Sequence, residues 1–173
     1  MGVGLVPGAG GTKEVLMRAA SLKDAFELIG MAKVSGSAAE AAEWGFLRPV
    51  DPITMNRDRL LEDARQTALA MARAGYLPPA AAPLVPVAGR AGLAGLKLSL
   101  HMMKEAGYIT DYDAEVGRRL AYVLSGGDLP EPASVPESYL LELEREAFVA
   151  LCGEPKTQQR MEHLLKTGRP LRN

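Results

Sequence analysis

Four prolines fall within the twelve residues YLPPAAAPLVPV at positions 76–87. No α-helix runs through such a stretch, because each proline lacks the N–H that a helix needs and its ring presses on the preceding turn. The segment is therefore predicted to be an extended connector between two helical halves. On either side, glycine and proline cut the chain into pieces of helical length, several of which carry start signals. Thr12 is a candidate N-cap for a short first helix. Ser21-Leu-Lys-Asp24 and Ser37-Ala-Ala-Glu40 have the spacing of capping boxes, and Gly45 is expected to end the helix begun at the second of them. Apolar residues at 60, 61, 64, 68, 71 and 72 recur at helical spacing within a long amphipathic segment over 54–74.

The second half reads the same way. LAGLKLSLHMMKEA is predicted helical, and Thr110-Asp-Tyr-Asp113 opens a further helix that Gly126-Gly127 stops. DLPEPASVPES reads as a proline-rich, acidic surface loop. Two last helices follow, ESYLLELEREAFVALC and KTQQRMEHLLKT, separated by Gly153 and Pro155. GFLRPV, at 45–50, reads as a single short strand. The outcome is a mainly α fold of about eight helices, with at most one or two short strands.

Composition narrows what such a fold serves. With 47% apolar and 24% charged residues the chain is globular in type, and 20 basic against 21 acidic residues give no electrostatic footprint for nucleic acid. No run approaches the length of a membrane span, so the expected location is the cytoplasm. Cys152 stands alone and His101 and His163 lie far apart, so neither a disulfide framework nor a metal site is expected. Cys152 is read as a small apolar side chain near a helix end.

The opening MGVGLVPGAGGTKEVLMRAA carries five glycines in its first eleven positions. A phosphate-cradling P-loop needs Gly-Lys-Ser/Thr, whereas the order here is Gly11-Thr12-Lys13; a dinucleotide fingerprint needs a third glycine where Lys13 stands. Both readings fail. Five glycines and a proline exceed what a turn before a helix requires, which points to backbone lying close to a ligand or a neighbouring segment.

GLVPGAGGTKEVLMRA, followed by SAAEAAEWGFLRPV, resembles the enoyl-CoA hydratase/isomerase (crotonase) superfamily, with its G-x-x-P-G-x-G-G-T loop. EREAFVALCGEPKTQQRMEHLLKTGRP is similar to the C-terminal helices of that superfamily. RPVDPITMNRDRLLEDA and LKLSLHMMKEAGYITDYDAEVGRRLAYVLSGGDLP narrow the resemblance to bacterial fusions of a 3-hydroxyacyl-CoA dehydrogenase with a C-terminal hydratase-like domain. The resemblance implies the C-terminal helical half of a crotonase-like α/β superhelix. Residues 1–50 would be the end of the core and 51–173 a helical region carrying an inserted segment at about 108–138, which would pack against the dehydrogenase part.

It further implies a fatty-acid β-oxidation protein acting on fatty acyl-CoA thioesters, with NAD serving the dehydrogenase part of the parent and no cofactor or metal in this chain. Gly8, Gly10, Gly11 and Thr12 would shape the active-site loop, and Lys166 and Arg169 would approach the CoA phosphates. The family's catalytic glutamate would fall one position before Met1, with a second glutamate and the oxyanion-hole amides further upstream, so no catalytic residue is expected here and the chain alone is expected to be inactive. Implied partners are the upstream hydratase core, the dehydrogenase part and further copies in a homo-oligomer. The alternative is a non-catalytic helical interaction or scaffold domain.

The remaining chemistry-bearing residues have plainer readings. Glu14 suits the first turn of a helix through the dipole alone. Glu142, Glu144 and Glu146 are read as a solvated face, His101 and Glu105 as an ion pair or core-edge contact one turn apart, and Trp44 as a helix-packing residue.

Overall fold

A computed structural model describes residues 2–78 and 84–173. Among these the fold is mainly helical, with α1 (Gly11–Arg18), α2 (Leu22–Gly30), α3 (Ala38–Glu43), a 3-10 turn (Arg57–Arg59), α4 (Leu60–Arg73), α5 (Gly89–Glu105), α6 (Asp111–Leu124), α7 (Glu137–Cys152) and α8 (Pro155–Thr167). Two three-residue strands, β1 (Val85–Val87) and β2 (Ala133–Val135), pair antiparallel in the register Val85 to Val135 and Val87 to Ala133. The chain divides into two units, one of residues 1–35 with 83–173 and one of residues 36–82. The expected boundary at 50/51 falls inside the second.

The larger unit is built around α6. Its start is a capping box in which the Thr110 hydroxyl accepts from the Asp113 N–H and the Asp113 carboxylate accepts from the Thr110 N–H. Tyr112, Val116, Leu120, Ala121, Val123 and Leu124 are all buried, a face wide enough to meet α5, α7, α2 and α1 at once. Each fully buried leucine contributes about 1.5–3 kcal/mol relative to an exposed one. The segment at about 108–138, expected as an insertion, thus supplies the central helix of this unit together with β2.

Three sequence expectations change here. The proline-rich stretch at 76–87 is more than a connector: Val85 and Val87 are buried, and β1 gains its hydrogen-bonding neighbour from β2, inside the segment expected to be a surface loop. Pro86 is tolerated because a two-stranded ribbon has only edges. The part of the stretch at 79–83 lies outside the described residues. The first helix starts two residues earlier than expected, with Gly10 in the N-cap position and Thr12 inside the helix.

The strand expected at 45–50 is absent. A strand needs a neighbour for its main-chain groups, and this segment spends them locally. The Phe46 N–H donates to the Ala41 carbonyl at 2.9 Å, and the Arg48 N–H donates to the Asp51 carboxylate at 2.8 Å, closing turns.

Within the smaller unit, α3 starts at Ser37, whose hydroxyl accepts from the Glu40 N–H, and Trp44 meets Phe46 edge to face at 6.1 Å between centroids. Amphipathic α4 has no buried residue: Leu60, Leu61 and Met71 are 56%, 83% and 46% exposed. Surface pairs such as Glu62–Arg65, at 2.8 Å, add only a few tenths of a kcal/mol each.

Candidate functional site

The glycine-rich loop lies on α7 and is tied at both ends. At its start, the Thr157 hydroxyl on α8 donates to the Gly4 carbonyl at 2.7 Å, and the Tyr112 hydroxyl, 2.6 Å away, completes the chain by donating to Thr157. Thr157 is fully buried. Gly4 has φ +77°, and a Cβ there would stand 2.7 Å from the Thr157 oxygen, so only glycine fits.

At its other end the loop meets Leu141, Glu144 and Phe148, residues one turn apart on α7. A Cβ on Gly8 would touch the Phe148 ring at 3.5 Å, and one on Gly10 would reach Leu141 at 3.2 Å. The carboxylate of Glu144 accepts from the Gly10 N–H at 2.6 Å and from the Thr12 N–H at 2.7 Å, one bond to each oxygen. Glu144 is 2% exposed.

This corrects the reading of Glu144 as part of a solvated face, whereas Glu142 and Glu146 are exposed as expected. Glu144 shares the inward stripe of α7 with Leu140, Leu143, Ala147 and Leu151. The signal that could have found it is that spacing, 140-143/144-147-151, which places a carboxylate among apolar positions. A carboxylate is carried into such a stripe only where donors meet it, and the start of α1 supplies two amides together with the positive end of the helix dipole.

Ala9 and Gly10 take φ values of +55° and +90° in succession. For alanine the left-handed region costs about 1 kcal/mol, a strain of the kind that collects at functional loops. Lys13, almost fully buried, lies between Glu14, at 2.5 Å, and Glu137. Burial opposes its charge, but those two carboxylates outweigh burial and hold its pKa above the ordinary lysine value. Glu14 also pairs with Arg18, so its place in the first turn serves an ion-pair cluster as well as the dipole.

A second polar cluster fastens α8. Arg160 is 1% exposed. Its Nη1 donates to Asp113 at 2.7 Å, its Nε donates to the Asn173 side chain at 2.8 Å, and its guanidinium stacks over the Tyr112 ring at 5.0 Å. Burial alone would raise the Asp113 carboxyl, but the Thr110 N–H and the Arg160 guanidinium outweigh it and hold the carboxyl below the usual carboxylate range.

Because the folded-state value is depressed, this contribution to stability is fully present above the ordinary carboxyl pKa of about 3.9 and is lost as the pH falls through the lower folded value. Asp113→Asn is expected to lower stability at neutral pH and to flatten the acid side of the stability profile below about pH 4. Urea unfolding at stepped pH checks this, and an unchanged acid slope would count against it.

The two residues expected at CoA phosphates have local contacts. Lys166 pairs with Glu162 one turn back at 2.5 Å, and the Arg169 N–H donates to Thr167. The structure thus brings Gly8, Gly10, Gly11 and Thr12 together with Glu144, while Lys166 and Arg169 sit at the exposed end of α8. On another face, Lys97, His101, Lys104 and Arg118 line an open cavity of about 110 Å³. Lys104 is paired with Asp111, Arg118 with Glu115, and His101 stands 3.9 Å from Glu105, the contact expected from the sequence. Cys152 is half-buried at the end of α7, also as expected. Among the described residues no cluster of three or more His, Cys, Asp or Glu is placed to hold a metal, and no helix is long and apolar enough to cross a membrane.

No family model and no solved structure matches the chain. A curated protein of Bacillus subtilis (strain 168) named "Probable 3-hydroxyacyl-CoA dehydrogenase" is 46% identical to it over 181 residues, which cover 99% of this chain and 23% of that relative. The chain thus spans about a quarter of the length of the relative it matches. Over nearly its whole length, glycine loop and C-terminal helices included, it is a homologue of one segment of a protein bearing that dehydrogenase name.

Proposed function

We propose that the chain is the C-terminal part of a fatty-acid β-oxidation protein that acts on fatty acyl-CoA thioesters, of the type joining enoyl-CoA hydration to 3-hydroxyacyl-CoA oxidation. The observation that carries this reading is the 46% identity, held over nearly the whole chain, to a relative about four times as long that is named for the oxidation step. In this reading Gly8, Gly10, Gly11 and Thr12 form one wall of the acyl-CoA site, held in place by α7 and α8, while Lys166 and Arg169 reach the CoA phosphates. The groups that activate water and the thioester would come from the preceding part of the parent, and the chain by itself would turn over no enoyl-CoA.

The described residues do not fit the NAD that the dehydrogenase name implies. Lys13 stands where a dinucleotide fingerprint needs glycine, and the Gly10 and Thr12 amides that would meet a pyrophosphate already hold Glu144. NAD binding therefore belongs, in this reading, to another part of the parent.

A second reading, a non-catalytic helical interaction module, is favoured by the uncovered apolar side chains of α4. One experiment separates the two. Capturing the endogenous polypeptide with an antibody to EHLLKTGRPLRN is expected to return a protein several times longer than 173 residues, with peptides upstream of Met1 that include a glutamate directly before the loop. A polypeptide beginning at Met1 would overturn the β-oxidation reading and leave the interaction module.

A further inference from the structure

Three other α-helices are capped from within a few residues, since Ser21, Ser37 and Thr110 each accept an N–H three positions on, while α4, α5, α7 and α8 start without a side-chain cap. The start of α1 is built otherwise. Its N-cap is Gly10, which has no side chain to offer, and the acceptor arrives from α7, 134 residues away in sequence. A local Ser or Asp would have capped the helix at less cost than burying a glutamate. The long-range solution leaves the exposed Gly8 and Ala9 with no side chain larger than a methyl while fixing the buried Gly10 and Thr12 amides beside them.

It also settles which charge the loop will meet. The start of a helix, with free N–H groups and the positive end of the dipole, is a ready site for phosphate or carboxylate. Here both oxygens of Glu144 occupy the Gly10 and Thr12 amides, at 2.6 and 2.7 Å. An incoming anion would find the donors taken and a negative charge already in place.

We propose that Glu144 is a positioning and specificity-determining residue: it fills the anion site at the start of α1 from within the chain, so that the glycine loop turns away phosphate and carboxylate groups and receives the uncharged acyl-thioester portion of its ligand. The second half of this statement rests on the acyl-CoA reading above; the first does not. Glu144→Ala should therefore uncover a carboxylate-shaped hole with two donors at its floor, which a small anion refills.

The test uses the isotope-labelled chain and follows the Gly10 and Thr12 amide resonances. Sodium formate is expected to move both saturably in Glu144→Ala, beyond a sodium chloride control, and to raise the melting temperature of that variant by linkage. It should do neither in the wild type nor in Glu146→Ala, which removes an exposed carboxylate two residues away. No saturable movement in Glu144→Ala, or the same movement in the wild type, overturns the proposal.

If Glu144→Ala does not fold, Glu144→Gln serves instead. The two amides bond to different oxygens, and in Gln one of those becomes an NH2 donor facing an N–H, so one of Gly10 and Thr12 should exchange with solvent at least tenfold faster than in the wild type, and unchanged protection of both overturns the proposal. In the wild type, S-butyryl-N-acetylcysteamine, an uncharged thioester, should move the Gly8 and Ala9 amides, and inorganic phosphate should leave the loop unmoved. A formate response without a thioester response overturns the acyl-thioester assignment and leaves the anion-filling role standing. Failure of the formate arm overturns that role whatever the thioester does.

Discussion

Replacing Arg160 with methionine is expected to cost about 3–5 kcal/mol of stability, read as a fall in the urea unfolding midpoint at unchanged slope. The reason is the company the guanidinium keeps. Methionine fills much of the volume but leaves the Asp113 carboxylate, its side chain 15% exposed, without its counter-charge. It also removes the donor to Asn173 and the cation over the Tyr112 ring. Replacing Asp113 as well should recover a large part of the loss, because the penalty is the stranded charge more than the missing attraction. Full recovery is not expected, since Asp113 also closes the capping box of α6. A cost below about 1 kcal/mol for the single change would show that the pair behaves as an exposed one.

The second large effect is expected at Leu120. This side chain is fully buried on the central helix, which packs against α5, α7, α2 and α1, and Leu120→Ala should cost about 2–5 kcal/mol through lost burial and the cavity left behind. Leu120→Met, which nearly conserves volume, should cost less than about 1.5 kcal/mol. The contrast between the two, measured by the same unfolding titration, separates a packing effect from a general sensitivity of α6. Equal losses would argue that the shape of the side chain, not the space it fills, matters there.

How much of this was legible in the sequence depended on how far apart the interacting residues lie. The helices starting at Ser21, Ser37 and Thr110 were readable because cap and capped residue are three positions apart. The β1–β2 ribbon was not, since each strand is three residues long and its partner lies about fifty residues away, beyond any local pattern. At 45–50 the composition suited a strand, but its hydrogen bonds went to Ala41 and to an Arg48–Asp51 turn instead.

The site was half legible. Its glycines announced a close approach, yet what they approach, the α7 face of Leu141, Glu144 and Phe148, required knowing that 141–148 returns to the start of the chain. Glu144 carried a usable signal in its spacing from Leu140 and Leu143. Reading the three glutamates as simple alternation hid it, because alternation spreads positions around a helix while the apolar neighbours show which one points inward. Arg160 gave no such signal, as α8 buries only Thr157 and Arg160 and has no apolar stripe to mark its inner face.

The ties on the glycine loop also set an order of events while the chain is being made. Gly4 is held by a residue 153 positions later, and Gly10 and Thr12 by one 134 and 132 positions later. Closing such spans costs loop entropy that only the finished packing repays. A nascent chain emerging from the ribosome therefore carries an unsecured loop until α7 and α8 have followed it out, so an element synthesised well before those helices reaches its final conformation only with them. Until then its apolar residues, Leu5 and Val6, are open to capture by chaperones or by other nascent chains. Slow translation of residues 137–167 would lengthen that window.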